Sequence, residues 1–154
     1  MPIEMPAMPE PTEEQFTAMQ QSVGAALPPS YVEFARRHDG AVPGGNSIVT
    51  QDNEVGVARF IPVRETIALA ASIEGFPANV IPLAEDDCGN YFYVELRSGA
   101  VYFWDHEVEG PDECVAESAL AFSHQLNPFD ASRVKPNPGQ VQRVWVNPSF
   151  KPEF

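Results

Sequence analysis

Residues 91–104 read YFYVELRSGAVYFW, and this stretch decides the fold because it has the form of a β-hairpin. In its first half, successive residues belong in turn to two different sets, and this period of two is typical of a β-strand, whose successive side chains point to opposite faces. The two faces carry Phe92, Val94 and Leu96 on one side, and Tyr91, Tyr93 and Glu95 on the other. Ser98-Gly99 supplies a tight turn, and residues 101–104 return with an alternation of their own. The stretch predicts two antiparallel strands with one buried face.

Further elements are predicted on both sides of this hairpin. Upstream, Thr12 to Gln15 has the form of a capping box and begins a helix of about ten residues that ends near Gly24. A second helix begins at Pro29 and ends at Asp39-Gly40. The remaining predictions are strands over 48–50, 55–61 and 80–84, a helix over 63–73, and a helix after Pro111 with Val115, Ala119, Phe122 and Leu126 on one face, closed by Asn127-Pro128. This order predicts α+β architecture, with helices packed against one antiparallel sheet.

The two ends of the chain differ in composition from this central part. Residues 1–11 contain four prolines and are predicted to form a flexible or extended leader. After residue 130 further prolines interrupt the pattern, and only residues 141–146 could pair as a strand, at a sheet edge. The predicted division is therefore a leader over 1–11, a single domain over 12–129 and a C-terminal extension over 130–154.

The charge balance excludes some classes of partner. The 154 residues include 22 acids and 9 bases, a net charge of −13 at pH 7. Nucleic-acid binding depends on Lys and Arg neutralising phosphates, and an anionic membrane surface would repel this chain, so neither partner is expected. A basic protein would be attracted. The alternative interpretation is that the acidity only keeps the protein soluble.

Cysteine usage and the N-terminus point to the cytoplasm. Cys88 and Cys114 are too few for a disulfide framework or a structural zinc site, so reduced thiols are expected. The first residues have neither the basic region nor the apolar region of a secretory signal. No apolar run approaches the roughly 20 residues that a membrane span needs. We therefore expect a cytoplasmic protein.

Three groups of residues, in this order, have the form of a known family. The first is Leu27-Pro28-Pro29-Ser30-Tyr31 with Phe34 and Asp39-Gly40. The second runs from Ile81-Pro82-Leu83-Ala84-Glu85-Asp86 through Gly89-Asn90-Tyr91-Phe92 to Val101-Tyr102-Phe103-Trp104-Asp105-His106-Glu107. The third is the late helix with Ala119, Phe122 and Leu126. Together they resemble the SUKH superfamily, in the branch named after the yeast Smi/Knr cell-wall assembly regulator, over about residues 16–129.

This resemblance implies a SUKH-like fold and a role that is usually non-enzymatic. Bacterial members are similar to immunity proteins, which are encoded beside contact-dependent or type VI secreted toxins and bind them to prevent self-intoxication. Fungal relatives resemble signalling scaffolds. The leading hypothesis is an immunity protein, monomeric or weakly dimeric, that blocks a cognate toxin with a basic surface, such as a nuclease. The alternative is a peptide-binding or scaffold module.

Acidic residues concentrate in one segment. Between Glu85 and Glu117 the sequence has ten acids and one base, Arg97, a net charge of −9. Such a segment could attract a basic toxin cleft. Its candidate contact residues are Glu85, Asp86, Asp87, Asp105, Glu107 and Glu109. The alternative is a solvated turn whose charges only prevent edge-to-edge aggregation.

Aromatic residues of the hairpin give a second candidate surface. Tyr91, Tyr93, Tyr102 and Trp104 fall on strands, and some of them must lie on the face opposite Phe92 and Val94. Exposed tyrosine and tryptophan side chains are frequent hot spots of protein interfaces. If another element covers them, they are ordinary residues of a second core.

No catalytic or metal site is predicted. Asp105, His106 and Glu107 suggest ligands for a divalent cation, but adjacent strand residues point to opposite faces and do not converge. The histidines at 38, 106 and 124 lack metalloprotease spacing. Nucleophile elbows, phosphate loops and dinucleotide fingerprints are absent from the sequence, and Cys88 follows three acids instead of the positive charges that activate a thiol. We therefore expect no cofactor and no enzymatic activity.

Overall fold

The computed structural model describes residues 5–44, 46–51 and 54–128, so the predicted edge strand over 141–146 lies outside them. The elements of this part are α1 (Glu13–Val23), α2 (Pro29–His38), β1 (Ser47–Val49), β2 (Glu54–Gly56), β3 (Arg59–Phe60), α3 (Val63–Ser72), β4 (Val80–Glu85), β5 (Tyr91–Glu95), β6 (Val101–Trp104), β7 (Glu113–Ala116) and α4 (Ala119–His124). Strands β3 to β7 form an antiparallel sheet in sequence order. The α+β prediction is confirmed, with a separate two-stranded sheet of β1 and β2 in addition.

The first two helices begin and end as predicted. The Thr12 hydroxyl accepts a hydrogen bond from the Gln15 amide, and the Gln15 side chain accepts one from the Thr12 amide, which completes the capping box. Gly24 ends α1 with a φ of 71°. Pro29 is the first residue of α2, where its missing N–H costs no helical hydrogen bond. Within the described ranges, none of the helices has both the length and the apolarity to cross a membrane.

The predicted hairpin is formed by β5 and β6, and its inner face builds the core. Phe92 pairs with Phe103 across the two strands, and both rings face the helices. The Phe92 ring lies 4.8 Å from that of Phe122 in α4, and Phe122 lies 5.9 Å from Phe60 in β3. Phe34 of α2 continues this row at 4.7 Å from Phe60. Phenylalanine rings in tilted and edge-to-face contact therefore join the helices to the sheet.

The predicted strand over 55–61 is divided between the two sheets. Residues up to Gly56 pair with β1, whereas Arg59 and Phe60 pair with β4. Between them, the amide of Val57 donates to the Asn46 carbonyl and the amide of Ala58 donates to the Glu85 carbonyl. The chain therefore passes from one sheet to the other with its backbone hydrogen bonds satisfied. Because the residues at this crossing are also apolar, the sequence gives no sign that the strand is divided.

The helix predicted after Pro111 is wrong in its first half. Val115 lies in β7, which pairs with β6, and α4 begins only after Ser118. The Ser118 hydroxyl accepts a hydrogen bond from the Ala121 amide at 3.0 Å, as an N-cap does. Because a short apolar run fits both a strand and a helix, spacing alone did not separate the two elements.

The described part of the predicted leader contacts α2. The Met8 amide donates to the Arg37 carbonyl at 2.9 Å, and the Arg36 guanidinium contacts Glu10 at 2.8 Å. Residues 5–11 are thus held along the helix by a backbone hydrogen bond and an ion pair. The predicted domain boundaries at 12 and 129 stay a prediction.

Asp39-Gly40 links the end of α2 to the start of α3. The Asp39 carboxylate accepts a hydrogen bond from the Val63 amide at 2.7 Å, which caps α3 because the preceding residue, Pro62, has no side-chain acceptor. Gly40 has a φ of 70°, and a Cβ there would lie 3.3 Å from Pro62. Burial raises the pKa of Asp39, and the hydrogen bond from Val63 opposes that shift.

We expect Asp39→Ala to lower the free energy of unfolding by about 1–2 kcal/mol, since the amide of Val63 loses its acceptor. Asp39→Asn keeps an acceptor oxygen and removes a partly buried charge, so its stability should stay within about 0.5 kcal/mol of the original chain. Urea unfolding of the two variants measures both values. Equal losses in the two variants would show that the charge, and not the cap, is what stabilises this junction.

Candidate functional site

The outer face of the five-stranded sheet carries a group of aromatic side chains, here called the outer aromatic cluster. Tyr91 pairs with Trp104 and Tyr93 with Tyr102 across β5 and β6, and Phe76 from the connection between α3 and β4 packs onto them. Within the described residues, these four strand rings make ring contacts only with one another, with Phe76 and with His106.

Phe76 buries part of the cluster and leaves part accessible. Its ring meets those of Trp104, Tyr91 and Tyr93 edge-on, at 5.3, 5.9 and 6.0 Å between centroids. Tyr93 also stacks on Tyr102 at 5.5 Å with an interplanar angle of 11°. As a result Tyr93 and Trp104 are only 8% and 9% exposed, while the other three rings are half-buried. Of the four aromatic residues predicted for this surface, Tyr91 and Tyr102 are half-buried, and Tyr93 and Trp104 are buried.

Carboxylates hold the tyrosine hydroxyls of the cluster. The Tyr93 hydroxyl donates to Asp112 Oδ2 at 2.7 Å, and the Tyr102 hydroxyl donates to Glu95. Burial and the hydrogen bond to Asp112 raise the pKa of Tyr93, and the hydrogen bond to Glu95 raises the pKa of Tyr102. Each carboxylate uses one oxygen for its tyrosine and keeps further acceptor capacity. The outer face is therefore aromatic in its centre and anionic at its rim.

Glu85, a predicted contact residue, lies at the edge of this face in an ion pair. Its carboxylate accepts from Arg59 Nε at 2.5 Å, and Arg59 also reaches Glu65 at 3.4 Å. Glu85 stands opposite Tyr91 in the register of β4 and β5. Burial and then the charge of Glu85 raise the pKa of Tyr91, against a lowering by Arg59. Two carboxylates thus flank the positive charge of Arg59, which leaves the rim negative.

Asp86, a second predicted contact residue, organises the turn between β4 and β5. Its carboxylate accepts hydrogen bonds from the amide of Cys88 and from the amide and side chain of Asn90, at 2.8 to 2.9 Å. Asn90 in turn accepts from the backbone and ring of His106, at 3.1 and 2.7 Å. These bonds bring the acidic turn after β4 next to the acidic turn after β6. Asp86 therefore supports the local structure.

The remaining predicted acids project from these two turns. Asp105 is half-buried and accepts a hydrogen bond from the Glu107 amide at 2.9 Å. Asp87, Glu107 and Glu109 are exposed, and Glu107 lies 3.8 Å from His106. In the part of the chain that the structure describes, no three His, Cys, Asp or Glu side chains converge on a possible metal ion. The acids are spread over a surface and can attract cations at long range.

Sequence reasoning missed four residues of this site, namely Phe76, Asp112, Arg59 and Glu95. Phe76 lies in a loop between Gly75 and Pro77, where periodicity gives no information about which sheet face a ring will cover. Asp112 and Arg59 were not assigned roles, because their partners lie 19 and 26 residues away. A large aromatic residue within a turn motif was the available signal for Phe76, since an exposed loop rarely carries one.

Comparison of the sequence with known proteins assigns the chain to a family. The chain is 24% identical to the SPbeta prophage-derived uncharacterized protein YokK of Bacillus subtilis (strain 168), in an alignment that covers 79% of each chain. Residues 10–125 match the sequence model of the SMI1 / KNR4 family (SUKH-1), and this range contains all the elements from α1 to α4 and the outer aromatic cluster. The match extends over most of the chain and confirms the predicted resemblance. The chain belongs to the SMI1/KNR4 family (SUKH-1).

Proposed function

We propose that this protein is an immunity protein, which binds a cognate toxin domain in the cytoplasm and blocks it by occlusion, without catalysing a reaction. Membership of the SMI1/KNR4 family carries the proposal, since bacterial members of the superfamily resemble immunity proteins. The similarity to a prophage-derived bacterial protein supports the same context.

The distribution of charge supports occlusion of a basic active site. Among the described residues, Glu85 and Glu107 are the only two of the ten acids between 85 and 117 that lie within ion-pair distance of a base. The other carboxylates of this segment are not neutralised by a base within the described residues, although hydrogen bonds inside the chain are accepted by Asp86, Glu95, Asp105, Asp112 and Glu113. A nuclease cleft is basic because it must neutralise phosphates, and a carboxylate-rich protein can occupy it in place of the nucleic acid. The proposed toxin is therefore a nuclease domain.

Expression of the neighbouring gene tests this proposal directly. The product of the adjacent upstream gene is expressed from an inducible promoter, alone and together with this chain, and growth is measured. We expect arrest when it is expressed alone, restored growth when both are expressed, and capture of the product by tagged immunity protein. Growth arrest that this chain does not relieve, without capture of the product, would refute the proposed role.

A second candidate function is that of a peptide-binding scaffold. The half-buried rings of Phe76, Tyr91 and Tyr102 favour it, since accessible aromatic side chains also bind peptides without any toxin being involved. This function predicts that several unrelated cellular proteins are captured from the cell of origin. It also predicts that the neighbouring gene product is harmless.

A further inference from the structure

The outer aromatic cluster and the acidic rim coincide at one place on the sheet. Tyr102 and Tyr91 lie on neighbouring strands with half-buried rings, and Phe76 packs against the same group. Glu95 and Asp112, which hold the hydroxyls of Tyr102 and Tyr93, stand beside these rings. A partner group that fits this face must pack against aromatic rings and also donate hydrogen bonds to carboxylate oxygens.

The guanidinium group of arginine has both properties. It is planar, stacks on aromatic rings and donates several hydrogen bonds in a fixed geometry that matches a carboxylate. A lysine ammonium is more strongly hydrated and gains mainly from the charge. A hydrocarbon partner would leave the carboxylates at the rim without compensation. The chemistry of the face therefore favours arginine over other side chains.

The chain contains the same arrangement within its own fold. The Arg36 guanidinium lies over the Phe16 ring, with 4.9 Å from its central carbon to the ring centroid. Two carboxylates, Glu10 and Glu13, hold it there at 2.8 and 2.7 Å. One aromatic ring and two acids hold this guanidinium within the chain, and the outer face offers several rings with two acids, Glu95 and Asp112, at its rim.

We propose that the outer aromatic cluster, with Glu95 and Asp112 at its rim, is a docking surface for arginine side chains of a protein partner. The identity of that partner as a toxin rests on the proposed function, whereas the preference for arginine does not. Arg59, a base at the edge of this face, is paired with Glu85 and Glu65 and does not fill the rim.

Short peptides of defined charge test the proposal without a toxin. The probes are hexa-arginine and hexa-lysine amides, titrated at low ionic strength into the full chain carrying Trp145→Phe, so that Trp104 is the remaining tryptophan reporter. We expect hexa-arginine to bind at least about fivefold more tightly than hexa-lysine. Equal affinities for the two peptides would overturn the assignment, because charge alone would then explain binding.

Ring removal on the outer face locates the binding site. The double variant Tyr91→Leu/Tyr102→Leu keeps apolar volume, and we expect it to reduce the affinity for hexa-arginine about tenfold, close to that for hexa-lysine. Tyr102→Phe keeps the ring and should bind almost as the original chain does. Leu120→Ala, at an exposed apolar position of α4, is the matched control and should leave the affinity unchanged. Unchanged binding by the double variant would overturn the proposal.

Two other occupants of this face are also tested. Self-association that the same double variant abolishes, measured by sedimentation, would assign the face to a second copy of the chain and overturn the proposal. Residues 129–154 carry four bases, Arg133, Lys135, Arg143 and Lys151. If their replacement by glutamine tightens hexa-arginine binding more than tenfold, the face belongs to this segment instead. The immunity role is tested by growth rescue and the arginine-docking surface by peptide affinity. Because the two measurements are independent, failure of one proposal can be distinguished from failure of the other.

Discussion

Phe92→Ala is expected to lower the free energy of unfolding by about 3–5 kcal/mol, the usual cost of truncating a phenylalanine in a core. The Phe92 side chain is fully buried, and its ring contacts Phe103 at 5.1 Å and Phe122 at 4.8 Å. Removal leaves a cavity between the hairpin and α4, and the neighbouring rings cannot fill it without breaking their own contacts. Denaturant unfolding followed by circular dichroism measures the loss.

Phe76→Ala is the matched control for this prediction, because it removes the same ring from the other side of the same sheet. Phe76 is half-buried and lies in a loop that can relax, so we expect less than half the loss found for Phe92→Ala. If both variants lost the same stability, the outer aromatic cluster would be a second core and not an accessible surface. The comparison thus bears on the candidate site as well as on the fold.

The sequence predicted the first two helices and the hairpin because their local signals and their burial agree. Thr12 and Gln15 form the expected capping box, and alternation along β5 separates Phe92 and Val94 from the tyrosines as expected. Signals of this kind are complete within a few residues. Where local propensity, capping and burial favour the same structure, pattern reasoning needs no tertiary information.

The prediction was wrong where an apolar run continued across a change of element. Val115 fits a helical face together with Ala119 and Phe122, yet backbone pairing with β6 makes it part of a strand. In the same way, Val57 and Ala58 continue an apolar run while the chain passes from one sheet to the other. Which strands pair is decided by contacts between distant residues, which periodicity does not contain.

The candidate site was predicted only in part, for a physical reason. The alternation of β5 placed Tyr91 and Tyr93 on the outer face, but the burial of Tyr93 depends on Phe76 and on a hydrogen bond to Asp112. Both partners come from other parts of the chain. Among the acids, Asp86 and Asp87 are adjacent and look alike in the sequence, although the first holds a turn and the second is exposed. Accessibility is a tertiary property, so it had to come from the structure.

This difference between the acids determines which charges a binding experiment should reverse. Reversing Asp86 would break the hydrogen bonds that form the turn, and reversing Glu85 would break the ion pair with Arg59. A loss of binding in either variant could then come from altered structure. Asp87, Glu107 and Glu109 are exposed, and in the described part of the chain none of their side chains accepts a backbone hydrogen bond. Asp87 and Glu109 therefore report on charge alone, whereas Glu107 also lies 3.8 Å from His106.

Replacing Asp87, Glu107 and Glu109 by lysine is expected to slow association with the toxin about 10- to 100-fold at low ionic strength. Charges at the rim of an interface act mainly on the encounter of the partners, so the dissociation rate should change by less than about threefold. The difference in association rate should shrink toward about 1 M salt, where the screening length falls to about 3 Å. Stopped-flow kinetics with the captured toxin measure both rates.

The control for this triple variant must change the net charge equally at another place. Glu14, Gln20 and Gln21 of α1 and Glu33 of α2 are exposed, and their joint replacement by lysine shifts the charge of the chain by the same amount. We expect that variant to slow association by less than about threefold, because charges on the far side steer the partner to the wrong face. Equal slowing in the two variants would mean that net charge alone drives the encounter. A selective effect would locate the encounter at the acidic turns after β4 and β6, beside the outer aromatic cluster.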